Sequence, residues 1–165
     1  MRTMMTGPGS RPLARTILGC FYGYFFLHWA TGILLFREKL GFSYASVVRY
    51  YRGDAELFMN PRSFAGLLEV THFHLFAMGL FFVVFSHLLL FTSLRDGLKR
   101  GLIGGLAIAT CTDIAAGWLV TYAGAPFAWL KLAAFWLLQL LCLSLLSALT
   151  RALLVRTRPH SPLAE

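Results

Sequence analysis

The chain has 165 residues, 58% of them hydrophobic and only 13% charged, with a mean hydropathy of +0.67. So few charges cannot cover that much apolar side chain in water, which excludes a soluble domain of this length and points to an integral membrane protein. The formal charge of +8 comes from basic residues that sit beside apolar segments, so topology and anionic lipid headgroups account for it and nucleic acid does not.

Residues 1–14 (MRTMMTGPGSRPLA) read as a short disordered tail. The apolar run 16–36 is longer than a signal-peptide core, and no small-x-small cleavage site follows it. Ile-Leu-Gly-Cys ending at Cys20 imitates a lipoprotein box but has no apolar core before it. The run is therefore a first transmembrane helix.

The connection 37–63 is the one long loop. Tyr44, Val47, Val48 and Tyr51 recur at i, i+3, i+4 and i+7, Arg49 and Arg52 take another face, and Gly53 follows as a stop. This pattern fits a short amphipathic helix in the membrane interface; the alternative is a surface loop rich in aromatics. Asn60-Pro61 predicts the start of the next helix, with Asn as cap and Pro in the first turn. A second transmembrane helix over 66–94 follows.

Arg95, Lys99 and Arg100 form a basic turn. The third apolar segment, 102–122, carries Gly101, Gly105, Thr112 and Ala116 as a small-residue seam for close helix packing. A Gly-Ala-Pro turn, 124–126, leads to a fourth segment, 127–150. The expected fold is thus all-α: a single polytopic membrane domain, a four-transmembrane-helix bundle with a short interfacial helix in its first loop. Basic residues gather in the N-terminal tail, at 95–100 and at Arg151, Arg156 and Arg158 more than in the two intervening loops, which predicts cytoplasmic termini in a bacterial inner membrane. Trp118, Tyr122 and Trp129 then mark the outer interface.

The functional signal is the stretch from Glu69 to His87, EVTHFHLFAMGLFFVVFSH, which places three histidines on one apolar span. Apolar membrane helices rarely carry ionisable side chains without using them. At about 100° per residue, Gly79 and His87 fall within roughly 60° of His72, while His74 points to another flank. Gly79 between them would let a flat ligand approach the backbone. His28 adds a histidine in the first span. A b-type haem takes two neutral imidazoles from helices at matched depth, a condition that His28 with His74 meets best and His72 next. His87, nearer the cytoplasmic side, would hold a second haem only with a partner from elsewhere, such as a homodimer mate. Covalent c-type attachment is excluded by the absence of CxxCH, and Cys20, Cys111 and Cys142 form no disulfide framework.

Two apolar helices bearing His28 and the pair His72 and His87, about four turns apart with Gly79 between, resemble the membrane b-type cytochromes. The resemblance covers the first two spans, and the full four-ligand, two-haem set is missing. It implies one-electron transfer through haem b, exchange with quinol or quinone in the membrane, and a partner redox subunit such as a c-type cytochrome. Asp113, in the middle of the third span, reads either as a proton-transfer or ligand-orienting group or as an interhelical hydrogen bond. Glu69 reads either as a proton acceptor for quinol or as an exposed acid near a helix N-terminus. Glu69 with the His72/His74 pair also suits a transition-metal site without haem. Arg49, Arg52 and Arg62 are candidates for haem propionates or for lipid headgroups. The competing class is a non-catalytic structural or assembly subunit whose histidines bind pigment or metal, or only pack.

Overall fold

A computed structural model describes residues 10–155. They form five helices and no strand beyond an isolated bridge between Asp54 and Met59: α1 (Ser10–Lys39), α2 (Tyr44–Arg52), α3 (Phe64–Leu90), α4 (Asp96–Tyr122) and α5 (Phe127–Val155). The chain divides after Gly41 into two units, α1 and the α2–α5 assembly. Four helices (α1, α3, α4 and α5) are long and apolar enough to cross a membrane. Residues 1–9 of the expected tail, and Arg156 and Arg158 of the basic C-terminus, lie outside the described residues.

Apart from the C-terminal end of α3, the long helices overrun the hydropathy boundaries for one reason. Hydropathy marks the hydrocarbon core, whereas helical hydrogen bonding continues into the polar interface as long as caps permit. Accordingly α1 begins at Ser10, inside the expected tail. The basic residues of the expected turn sit mostly within the first turn of α4: Arg95 is its N-cap, Asp96 is a favourable first-turn acid, and Lys99 lies 3.7 Å from Asp96. At the other end of that connection α3 stops at Leu90, short of the expected Leu94, where Thr92 Oγ1 donates to the Leu89 carbonyl at 2.8 Å.

The α2 region follows its local signals closely. Ser43 accepts from the Ser46 N–H at 3.1 Å, and Ser46 Oγ accepts from the Ser43 N–H at 3.2 Å, a reciprocal capping box. Gly53 ends the helix at φ +77°, a conformation natural to glycine. Although the amphipathic pattern suggests an apolar side turned to lipid, α2 turns it onto protein: Val47 and Tyr51 are buried, Tyr44 stacks on Trp129 at 5.2 Å, and α2 packs on α4 and α5. Arg52 donates to the Val120 carbonyl at 3.3 Å.

The start of α3 differs from the expectation at Asn60-Pro61. Ser63 is the N-cap, accepting from the Gly66 N–H at 3.1 Å. The Arg62 N–H instead donates back to the Tyr51 carbonyl at 3.0 Å, so the proline segment runs along α2 before the helix can begin. Within the assembly α4 and α5 make the most extensive pairing. The buried stripe on α4 is Leu106, Ala109, Asp113, Ala116, Gly117 and Val120, shifted in part from the expected seam, in which Gly105 meets Leu141 and Ala116 is fully buried.

Candidate functional site

Two sets of polar side chains occupy the α2–α5 unit, and they are built differently. The first is the histidine set. His72, His74 and His87 are all exposed on α3. Only His74 is anchored by a backbone bond: its Nδ1 lies 2.8 Å from the Val70 carbonyl one turn earlier. A neutral imidazole held that way donates from Nδ1 and leaves Nε2 as the lone-pair nitrogen, which is the arrangement a metal-ligating histidine takes. His72 packs edge-on to Phe73 and His87 edge-on to Phe91. A Cβ built on Gly79 meets nothing within 4 Å, so there is room for a flat group beside α3, on open surface and not in a walled slot. The donor chemistry of His74 suits haem ligation, whereas the open space at Gly79 lies about 140° around α3 from it, on the flank of His72. His28 lies on α1, in the other unit.

Among the described residues no three His, Cys, Asp or Glu side chains gather as a metal site, so Glu69, His72 and His74 do not make a three-ligand group. The arginines considered for propionates have protein partners instead. Arg49 pairs with Asp54 at 3.0 Å, Arg52 reaches α4, and Arg62 donates to the Tyr50 hydroxyl at 2.5 Å while its guanidinium lies 4.2 Å from the Tyr50 ring centroid.

The second set is buried. Asp113 on α4 and Lys131 on α5 are 4% and 7% exposed. Lys131 Nζ lies 2.8 Å from Asp113 Oδ2 and donates to the Asp113 main-chain carbonyl at 2.9 Å. Their depths explain the match. Asp113 sits nine residues before the end of α4, ~14 Å down its axis, and Lys131 four residues into α5, ~6 Å down. The lysine stem, threading inward along apolar neighbours, spans much of the difference.

Tyr51 of α2 closes the same spot. Its phenol lies against Gly117, where an added Cβ would sit 2.9 Å from the hydroxyl. Glycine is thus required at 117 by close approach. Burial pushes the Tyr51 phenol well above its ordinary pKa, the Asp113 charge and Tyr50 push it the same way, and Arg62 opposes them. Tyr51 accordingly stays a neutral hydroxyl. On the α3 side, Trp118 Nε1 donates to Thr71 Oγ1 at 2.8 Å. These groups surround a cavity of about 30 Å³, lined also by Tyr50, Arg62 and His74. Asp113 Oδ1 is buried and meets no donor among the described residues. A wider recess of about 530 Å³, lined by Ser93, Ser144, Ser147 and Arg151 among others, contains none of the expected site residues.

Of the expected residues, then, the structure brings His74 and Asp113 to one cavity and leaves Glu69, His72, Gly79 and His87 on the exposed part of α3. Lys131, Tyr51 and Gly117 are additions. A signal for Lys131 was present in the chain: a lone cation four residues into an apolar helix, joined by a tight turn to a helix bearing a lone mid-span acid.

The fold and its apolar helices define a multi-pass, all-α membrane protein. Residues 41–160 match the Aq_1264_TM family, described as a transmembrane helical domain, and the chain belongs to this family. No curated protein and no solved structure matches the chain. The matched stretch begins where the α2–α5 unit begins; it includes the buried pair and His72, His74 and His87, and it leaves out His28.

Proposed function

We propose that the protein is a b-type haem-binding subunit for membrane electron transfer, exchanging electrons between the quinone pool and a partner redox protein such as a c-type cytochrome. It would lie in a bacterial inner membrane with both termini cytoplasmic. The observation that carries this reading is His74, whose Nδ1 bond to the Val70 carbonyl reserves Nε2 for a ligand on the exposed side of an apolar helix. His28 would supply one axial imidazole, His74 or else His72 would supply the second, and His87 would serve a second haem only with a partner from elsewhere. Bound haem supplies the one-electron chemistry, and the protein sets ligation, polarity and access.

The test is a reduced-minus-oxidised visible spectrum of the purified protein, with haem quantified as its pyridine haemochrome. Near-stoichiometric b haem that disappears in folded His28→Ala and in folded His74→Ala is the expected result, and loss in His72→Ala instead of His74→Ala would assign the α3 ligand to His72. A featureless spectrum in protein isolated with its native partners would reject the reading.

The runner-up is a structural or assembly subunit of a larger membrane complex. The Asp113–Lys131 pair and the Tyr51–Gly117 contact favour it, because they fasten α2, α4 and α5 to one another without any outside group.

A further inference from the structure

The cavity beside Asp113 presents an unusual combination of size and chemistry. A carboxylate oxygen withdrawn from water without a donor is costly in a low-dielectric interior. Asp113 Oδ1 is in that position, because Lys131 serves Oδ2 and the main-chain carbonyl instead. Lys131 has a third N–H to give, and Tyr51 offers a neutral hydroxyl that both donates and accepts. A water needs a polar site of roughly 10–15 Å³ with two to four partners. The cavity's volume of about 30 Å³ meets that and is far too small for a ring.

We propose that this cavity is an internal hydration site, in which one or two ordered water molecules donate to Asp113 Oδ1, accept from Lys131 Nζ and bond the Tyr51 hydroxyl. The titratable and charged groups facing it are Tyr50 and Tyr51 from α2, Arg62 from the segment before α3, His74 from α3, Asp113 from α4 and Lys131 from α5. Arg62 and Tyr50 lie outside the membrane-spanning helices, so the water connects the buried pair toward the polar end of the assembly. A hydrated carboxylate–ammonium pair exchanges protons with the aqueous phase by transfer to and from water, with no change in oxidation state. A dry pair at this depth has no such route. The site does not require haem: Asp113, Lys131 and Tyr51 hold the water, and His74, a proposed haem ligand, only lines the cavity.

X-ray radiolytic labelling of the full-length protein in lipid nanodiscs, carried out in ¹⁸O-water and read by mass spectrometry, tests this directly. Hydroxyl radicals formed from a bound water oxidise the ring beside it, whatever that ring's exposure to bulk solvent. Tyr51, 6% exposed, should label far faster than Phe85, which is 1% exposed and lines neither of the two cavities described above. In D113L/K131M, which removes both anchors together and puts a larger apolar side chain in place of Asp113, Tyr51 labelling should fall to the Phe85 level. Tyr51 labelling as slow as Phe85 in the unaltered protein would overturn the proposal, even if the double variant did not fold. Undiminished Tyr51 labelling in a folded double variant would do the same, by showing that Asp113 and Lys131 do not hold the water.

Discussion

His74 and Asp113 line one small cavity, yet the helices that carry them handle polarity in opposite ways. On α3 the imidazoles stand on the exterior, and the anchored one uses its own backbone as partner. Between α4 and α5 the charges are withdrawn from the surface and answer each other across two helices. An apolar helix gains nothing in stability from an exposed imidazole, so the α3 face is the one that calls for something from outside: a cofactor, a subunit or a lipid headgroup. The α4–α5 pair needs no cofactor or subunit, and breaking it by removing one partner should be felt as lost stability. Substitutions at the two places should therefore separate binding from folding.

The largest expected effect is at the pair. Lys131→Met leaves a buried carboxylate without its cation and should cost about 3–5 kcal/mol in reversible unfolding. Adding Asp113→Leu to Lys131→Met should recover most of that loss, since replacing a whole buried pair with apolar side chains is often neutral or stabilising. A double variant no more stable than Lys131→Met would mean that the contacts around the pair, not its charges, hold α4 to α5. Next comes Gly117→Ala, which drives a methyl into the Tyr51 ring; displacement of a rigid buried side chain should cost about 1–3 kcal/mol. The accompanying signature is loss of the Tyr51 environment in near-ultraviolet circular dichroism, and an unchanged spectrum at unchanged stability would remove Tyr51 from the packing scheme.

Ser43→Ala removes one half of the capping box and should cost about 1 kcal/mol, localised as faster amide hydrogen exchange in the first turn of α2. Uniform exchange along α2 would show that its packing, not its cap, sets its stability. The smallest effect belongs to the other side of the contrast. In protein freed of any bound group, His74→Ala should change unfolding by no more than about 0.5 kcal/mol, because the ring is exposed and bonds only its own helix. A loss on the scale of Lys131→Met would place His74 in the structural core and weaken the ligand reading.

Much of the architecture was legible along the chain because its causes are local. Four long apolar runs demand helices wherever backbone groups enter hydrocarbon, since only internal hydrogen bonds satisfy them there. The i, i+3, i+4, i+7 pattern of Tyr44, Val47, Val48 and Tyr51, followed by Gly53, located α2 almost to the residue. Asn60-Pro61 misled because two good caps lie three residues apart, and the choice fell to Ser63 through the Arg62–Tyr51 backbone bond, a contact that α2 must already be present to make.

Asp113 stands out in the sequence as a costly charge in an apolar span, and the histidines stand out for the same reason. What answers Asp113 is a different matter. By position Lys131 belongs with the basic residues of a turn, where it reads as a topology signal. Only the folded hairpin of α4 and α5 carries its ammonium inward to the carboxylate, and only the packing of α2 brings Tyr51 against Gly117 beside them. Helix periodicity and capping act over a few residues and so are written in chain order. An ion pair acts over a few ångströms of space, between residues whose separation along the chain says nothing about their distance until the helices have packed.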